Sequence, residues 1–378
     1  MKKFPILELV VKIASRCNFN CSYCYEYNMG DDTWKEASKF MSISTADMLS
    51  RRVQEHIDEF QLKEFTFGLH GGEPLLMPPS KLDNLVQQLK SRISKEVNLV
   101  FGLQTNAALM SEEFIQVFKK HNINISISLD GIKDIHDKHR LGIDGRPTHD
   151  KVIKGIELLQ KISPELFVGL LSVIDIESNP LENFDFLASF GVDIDFLLPL
   201  KTHDNPPFYP NNDQLAYGKW YFEIYKEWIN GRNSHVDVRF IKNIITQLMG
   251  GSAIYEVMTY NPIGLLTINT DGNMEGLDCL KSLGNKIQVT NLNINDSSFS
   301  QALEHEIVKV RQIGIEGLNK KCRDCDFLNG CAGGYFPNRY SEINQFDNPS
   351  VYCESLFWLL SQIEDDIKKR IPNELLAS

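Results

Sequence analysis

Cys17, Cys21 and Cys24 fall within the run Arg16-Cys17-Asn18-Phe19-Asn20-Cys21-Ser22-Tyr23-Cys24-Tyr25. Thiolates are soft donors suited to zinc or iron-sulfur clusters, and three of them leave a four-ligand centre with one open position. An open position is where chemistry can happen. Spacing alone leaves three readings: an iron-sulfur cluster, a zinc ion completed by a distant His or Cys, and a chance group of buried thiols. Cys322, Cys325, Cys331 and Cys353 make a second set. Four thiolates are a closed set, fit for a structural zinc or a four-cysteine cluster. Cys279 stands apart from both.

The elements that must position these residues are legible as hydrophobic pattern. Apolar runs at Ile6 to Ile13, Phe65 to His70, Leu99 to Gln104, Ile123 to Leu129, Phe167 to Ile174 and Ile194 to Leu200 alternate with helix-period segments. The stretch from Ser44 to Phe60 puts Leu49, Val53, Ile57 and Phe60 on one face. Ser80 to Ile93 does the same with Leu82, Leu85, Val86, Leu89 and Ile93, and further helices are expected at about 111–120, 149–162 and 180–190. Six βα units predict an α/β fold, a parallel sheet curled into a partial (β/α)6 TIM-like barrel over residues 1–205, with sites at the carboxyl ends of strands. The first cysteine loop follows the first strand, so it lies at that end.

Residues 206–262 change character, with Pro206-Pro207 and Pro210 followed by Trp220, Tyr221, Phe222, Tyr225 and Trp228. They read as a helical linker whose aromatics pack in a core. From residue 263 a smaller C-terminal domain is expected to run to residue 378. It opens with a hairpin, Leu265 to Thr270, turning at Asp271-Gly272-Asn273. It closes with a helix carrying Leu356, Leu359, Leu360, Ile363 and Ile367, ended by Pro372.

Composition bounds the rest. A chain of 378 residues, 42% hydrophobic and 24% charged, has the make-up of a globular enzyme. The net charge of -11 opposes the phosphate attraction behind nonspecific nucleic-acid binding. Glu8 and Lys12 interrupt the apolar N-terminal run that follows Met1-Lys2-Lys3, which therefore reads as a strand and not a secretory signal. No run reaches membrane-spanning length, and the cysteine distribution points to a reducing cytoplasm.

The Cys17-x3-Cys21-x2-Cys24 pattern, with Tyr23 beside the last cysteine, resembles the signature of radical S-adenosylmethionine (SAM) enzymes. Gly71-Gly72-Glu73-Pro74 resembles that family's motif for the SAM amino group, and Thr105-Asn106 ends the third strand as it does there. Ser128-Leu129-Asp130-Gly131, with His136 and Arg140 after it, resembles the segment that contacts the SAM ribose and carboxylate. The residue types suit these tasks: the Glu73 carboxylate can pair with an ammonium group, Gly71 and Gly72 let backbone approach a ligand, and Arg140 offers a fork for a carboxylate. Cys322-x2-Cys325-x5-Cys331 with Cys353 resembles the SPASM extension, an auxiliary-cluster domain of radical SAM enzymes that modify peptides and proteins. Members with two auxiliary clusters carry further cysteines at positions where this chain has Leu277, Val289 and Tyr335. The resemblance therefore implies one radical-generating [4Fe-4S] cluster and one auxiliary [4Fe-4S] cluster, with Cys279 a spare thiol.

Ala332 to Tyr340 and Phe346 to Glu354 are most similar to maturases that form cyclophane crosslinks. Those enzymes join an aromatic ring carbon to the β-carbon of a residue two positions later in a ribosomally made precursor peptide. The expected cofactors are thus SAM and the two clusters, and the expected partners are a precursor peptide and an external electron donor such as flavodoxin or ferredoxin. No leader-reading domain is expected ahead of the first strand. Restoring aromaticity needs a base, for which Asp278 at the hairpin end is the candidate. Two rivals stay open: another SPASM enzyme, such as an anaerobic sulfatase maturase or a thioether-forming maturase, and a non-catalytic metal scaffold or electron carrier.

Overall fold

The computed structural model describes residues 4–252 and 256–370. The eleven strands are β1 (Glu8–Ala14), β2 (Phe19–Cys21), β3 (Glu64–Gly71), β4 (Asn98–Thr105), β5 (Ile123–Ser128), β6 (Arg140–Gly142), β7 (Phe167–Val173), β8 (Asp193–Leu197), β9 (Leu265–Ile268), β10 (Asn273–Glu275) and β11 (Val289–Asn293). The principal helices are α1 (Ile43–Phe60), α2 (Pro79–Lys90), α3 (Glu112–His121), α4 (Lys133–His139), α5 (His149–Ile162), α6 (Pro180–Ala188), α7 (Ala216–Ile229) and α8 (Arg239–Leu248), with a C-terminal helix at Cys353–Arg370. The expected alternation is present from β1 to β8. Pro372, expected to end the last helix, and Met1 to Lys3 lie outside the described residues.

Local chemistry explains the boundaries. Ser42 caps α1 by accepting from the Thr45 N–H, and Gln61 ends it in the left-handed region at φ 56°. Ser111 caps α3 in the same way, and Asn122 closes it at φ 54°. Asn179 accepts from the Leu181 and Glu182 N–H groups to start α6, whose first residue is Pro180.

By contacts the chain forms two compact units, residues 1–129, 136–170 and 262–313 in one, and 130–135, 171–261 and 314–378 in the other. In the first unit the strand order is β11-β10-β9-β1-β3-β4-β5. β1 runs parallel to β3, β3 to β4 and β4 to β5, as a βα alternation requires. β1 is covered on both faces, and six of its seven residues are buried. Its one buried charge is Lys12. The interior is aromatic at the middle strands, where Phe67 and Phe101 stack with centroids 5.0 Å apart. Each such ring contributes about 1.5–3 kcal/mol through burial. The hairpin of β9 and β10 turns at Gly272, φ 88°, and β9 pairs parallel to β1, so the hairpin extends this sheet.

One feature of the first unit escapes sequence pattern. β2 and β6 are three residues each and pair antiparallel, with Phe19 opposite Gly142 and Cys21 opposite Arg140. Neither has the length to show a period.

The second unit holds β8, α6 to α8 and the C-terminal segment. Trp220, Tyr221 and Tyr225 are buried there, as core aromatics should be. Tyr221 stacks on Phe240 at 4.4 Å and donates its hydroxyl to the Phe196 carbonyl at 2.5 Å. Gly218 lets α7 lie close against the C-terminal helix, because a Cβ there would stand 2.4 Å from the Ser355 carbonyl oxygen.

Candidate active site

The loop after β1 folds over its own sulfurs. The Phe19 N–H points at Cys17 Sγ at 3.3 Å, and the Cys24 N–H bonds to the Cys21 carbonyl at 3.0 Å. Cys21 ends β2, so its pairing with Arg140 brings a cation from far along the chain to the cysteine loop. Arg140, 8% exposed, donates to the Tyr23 hydroxyl at 2.9 Å. Thr148 holds this arrangement from behind, its hydroxyl donating to the Arg140 carbonyl while meeting His136 Nε2 at 3.1 Å.

Glu73 ties the ends of β3 and β4 beneath the loop. It is 1% exposed, and its carboxylate accepts from Thr105 Oγ1 at 2.5 Å, the Leu75 N–H at 2.9 Å and the Asn106 N–H at 2.8 Å. Burial pushes its carboxyl above the ordinary range against these donors. Asn106 then reaches back to Asn18 Oδ1 at 2.9 Å, with Cys17 Sγ 3.9 Å away. The glycines also let two stretches of backbone meet. The Gly72 N–H bonds to the Ala14 carbonyl at 2.8 Å, and a Cβ on Gly71 or Gly72 would stand 2.1 Å from the Ala14 or 2.4 Å from the Arg16 carbonyl oxygen. Their missing side chains let the β3 end approach the cysteine loop.

Cys17, Cys21, Cys24, Glu73, Asn106 and Arg140 are thus brought together by backbone pairing and hydrogen bonds. Ser128 joins at one remove, accepting from Gln104 Nε2 at 2.8 Å on the neighbouring strand. Asp130, 1% exposed, instead accepts from the Val173 N–H at 3.1 Å in the second unit.

Asp278 begins the turn after β10. Its Oδ2 lies 2.6 Å from Lys12 Nζ and accepts from the Tyr25 hydroxyl at 2.8 Å. Tyr25 follows Cys24 directly, so the cysteine loop and Asp278 are linked through one side chain. Burial opposes ionisation here, but Lys12 and its hydrogen bond hold the carboxyl well below the usual range. Lys12 beside it favours its carboxylate form.

In the second unit Cys322, Cys325, Cys331 and Cys353 line one cavity of about 270 Å³, walled by Phe327, Phe357 and Leu360 among others. Arg339 is buried behind it and donates to the carbonyls of Ala332 at 2.6 Å, Gly333 at 3.1 Å and Gly334 at 2.7 Å. Residues 332 to 334 all take positive φ, which turns those carbonyls towards one guanidinium. Burial pushes the Cys331 thiol up to about 12.

The soft sulfur donors of both sets suit iron-sulfur clusters. Zinc holds sulfur at about 2.3 Å, which draws its ligands together at a point. Four thiols spread around a cavity suit a larger inorganic core. In the loop, burial and neighbouring Glu73 push the Cys17 thiol up, and burial with Cys21 pushes Cys24 up to about 11. Buried thiols that oppose one another's ionisation need a positive centre to become thiolates.

Comparison with known proteins agrees with this chemistry. Residues 11–183 match the Radical SAM superfamily, and the chain belongs to it. The cofactors of that family are SAM and a [4Fe-4S] cluster. A cysteine-type anaerobic sulfatase-maturating enzyme of Clostridium novyi is 23% identical, over 92% of this chain and 93% of its own length. An uncharacterized protein of Methanocaldococcus jannaschii is 30% identical over 55% of this chain and 68% of its own. The solved structure of native anSMEcpe with bound AdoMet and Kp18Cys peptide superposes with a TM-score of 0.79 at 20% identity, over 97% of this chain and 100% of that one. The fold is therefore shared along the whole length. Among the described residues no helix is long and apolar enough to cross a membrane.

Sequence reasoning passed over Asn18, Thr148 and Arg339, which carry no local signal. Lys12 did carry one, as a lone charge inside an apolar strand.

Proposed function

We propose that this chain is a radical SAM peptide maturase that joins an aromatic ring carbon of a ribosomally made precursor peptide to the β-carbon of a residue nearby. The observation that carries the reading is Asp278, whose carboxyl oxygen meets Lys12 and accepts from Tyr25, the residue that follows Cys24 in the three-cysteine loop. Cys17, Cys21 and Cys24 would hold the radical-generating cluster, and Cys322, Cys325, Cys331 and Cys353 the auxiliary one. When bound, the first cluster and SAM would supply the radical chemistry that activates a carbon–hydrogen bond of the peptide. Glu73 and Asn106 keep the loop in place and would serve the SAM amino group, Arg140 would offer its fork to the SAM carboxylate, and Ser128 would serve the ribose. Asp278 accepts the proton that leaves when the ring regains aromaticity.

The segment similar to cyclophane maturases supports this reading, because it packs as one piece. Phe336 stacks on Phe346 at 4.0 Å, and Asn348 donates to the Arg339 carbonyl at 2.9 Å. A sulfatase maturase is the second reading, favoured by the near-full-length match to such an enzyme. Coexpression with the short reading frame beside the gene, followed by tandem mass spectrometry, separates them. A loss of about two mass units confined between an aromatic residue and its partner supports the crosslink. An unmodified precursor, with a sulfatase-derived peptide converted instead, overturns it. Reconstituted protein should hold about eight irons, two four-iron clusters.

A further inference from the structure

Along β3, β4 and β5 the residues alternate strictly between two faces of the sheet. On one face Phe67, Leu69, Phe101, Leu103, Ile125 and Ile127 are buried. On the other stand Gly68, His70, Gly102, Gln104, Asn124 and Ser126, all half-buried. The first face seals a core, whereas the second is small, polar and open to solvent. It also leads into the candidate active site within the same unit. His70 precedes Gly71, and Gln104 Nε2 donates to Ser128 Oγ at 2.8 Å.

The middle of this open face is bare. In register across β1, β3, β4 and β5 the row reads Val10, Gly68, Gly102, Asn124, so two glycines lie side by side. Glycine weakens the interior of a strand, and where it persists it marks a left-handed turn or the close approach of other atoms. Neither glycine takes a positive φ. A Cβ on Gly68 would stand 3.4 Å from the Leu9 carbonyl oxygen, an ordinary contact, and a Cβ on Gly102 would meet nothing within 4 Å. Gly71, Gly72 and Gly218 are demanded by neighbouring backbone of this chain; Gly68 and Gly102 are not. The polar groups beside them are equally uncommitted, since His70, Asn124 and Ser126 make no side-chain hydrogen bond with the described residues.

We propose that Gly68 and Gly102 form the seat of the substrate's aromatic ring, a strip of bare backbone against which the ring lies flat. The proposal rests on the peptide reading above, which supplies the ring to be held. Neighbouring strands stand about 4.8 Å apart, so a strip two strands wide matches one ring. A ring laid there restores the cover that two missing side chains leave off. Val10, 8% exposed, closes one end of the row and Asn124 the other. Glu8 Oε1, 3.6 Å from the place of a Gly68 Cβ, faces the ring's edge, where it accepts from an indole N–H or a phenol O–H. The seat thus selects the size and polarity of the ring.

The test compares reconstituted wild-type, Gly102→Ala and Gly68→Ala holoenzymes on the coexpressed precursor carrying Trp or Phe at the ring position. Iron content and thermal unfolding check the fold, which neither added Cβ obstructs. Gly102→Ala should lower kcat/KM about tenfold for Trp and less than about threefold for Phe, mainly through KM, because a methyl group takes up part of the seat. Gly68→Ala should shift the preference in the same direction. A Gly102→Ala enzyme that keeps the wild-type preference between Trp and Phe overturns the seat. If wild-type enzyme crosslinks no precursor, the peptide reading falls and N-acetyltryptophanamide decides the seat by NMR saturation transfer. Wild-type binding that is lost in Gly102→Leu then supports it, and no binding, or equal binding by both, overturns it.

Discussion

Around Cys17, Cys21 and Cys24 the neighbours are polar and hydrogen-bonded: Asn18, Tyr23, Glu73, Asn106 and Arg140. Around Cys322, Cys325, Cys331 and Cys353 the cavity presents mainly apolar surface from Phe327, Phe357 and Leu360, with Lys321, Asp324, Asp326 and Ser350 also lining it, and the buried Arg339 donates to backbone carbonyls. The same donor atom is thus placed in two environments. Three sulfurs among groups able to orient a charged ligand leave a position for that ligand. Four sulfurs within a mainly apolar wall leave none, and suit a centre that changes charge without changing partners.

This contrast can be broken most sharply at the sulfurs. Cys17→Ala should lower SAM cleavage by at least about 10³-fold, since no other group replaces a missing ligand at an open centre. Cys331→Ala should keep 5′-deoxyadenosine formation within about tenfold while crosslinked peptide disappears. Equal loss of SAM cleavage in both variants would show that the two sites are not separate in function. Glu73→Gln turns an acceptor facing three donors into an amide and should weaken SAM binding about 10–100-fold by calorimetry. Unchanged affinity would detach Glu73 from the polar site.

Leu360→Ala opens the apolar wall. It should cost about 2–4 kcal/mol in unfolding stability and speed iron loss to a chelator, leaving SAM affinity unaltered. A stable variant that binds SAM poorly would erase the distinction. The smallest effect is expected of Tyr23→Phe, which removes one hydrogen bond to Arg140 and should raise the KM for SAM by a factor of about 2–10.

Much of this was legible beforehand because the responsible patterns are long. Helices α1, α2, α3, α5 and α6 announce themselves through apolar spacing over two to five turns, whereas the seven residues of α4 carry no apolar stripe; the cysteine sets stand out by spacing, though spacing does not say what they hold. The β2–β6 pair could not be seen, since three residues carry no period and the pairing spans most of the first unit's N-terminal half. Gly71 and Gly72 show a different limit. Their type was informative, yet whether the missing Cβ makes room for a ligand or for the Ala14 and Arg16 carbonyls is a matter of tertiary approach. Lys12 and Glu8 were noticed only as interruptions of an apolar run. That Lys12 points to Asp278, across 266 residues of chain, is fixed by β1 lying beside β9.

The pairing of Cys21 with Arg140 also bears on how the protein is made. A ribosome releases the three-cysteine loop early, but the strand that closes over it emerges only after residue 142. Until then the sulfurs sit on an open chain, exposed to oxidation and stray metal. The first loop can therefore be closed before half of the 378 residues are made, whereas the four-cysteine set, completed only at Cys353, must wait until synthesis is almost over.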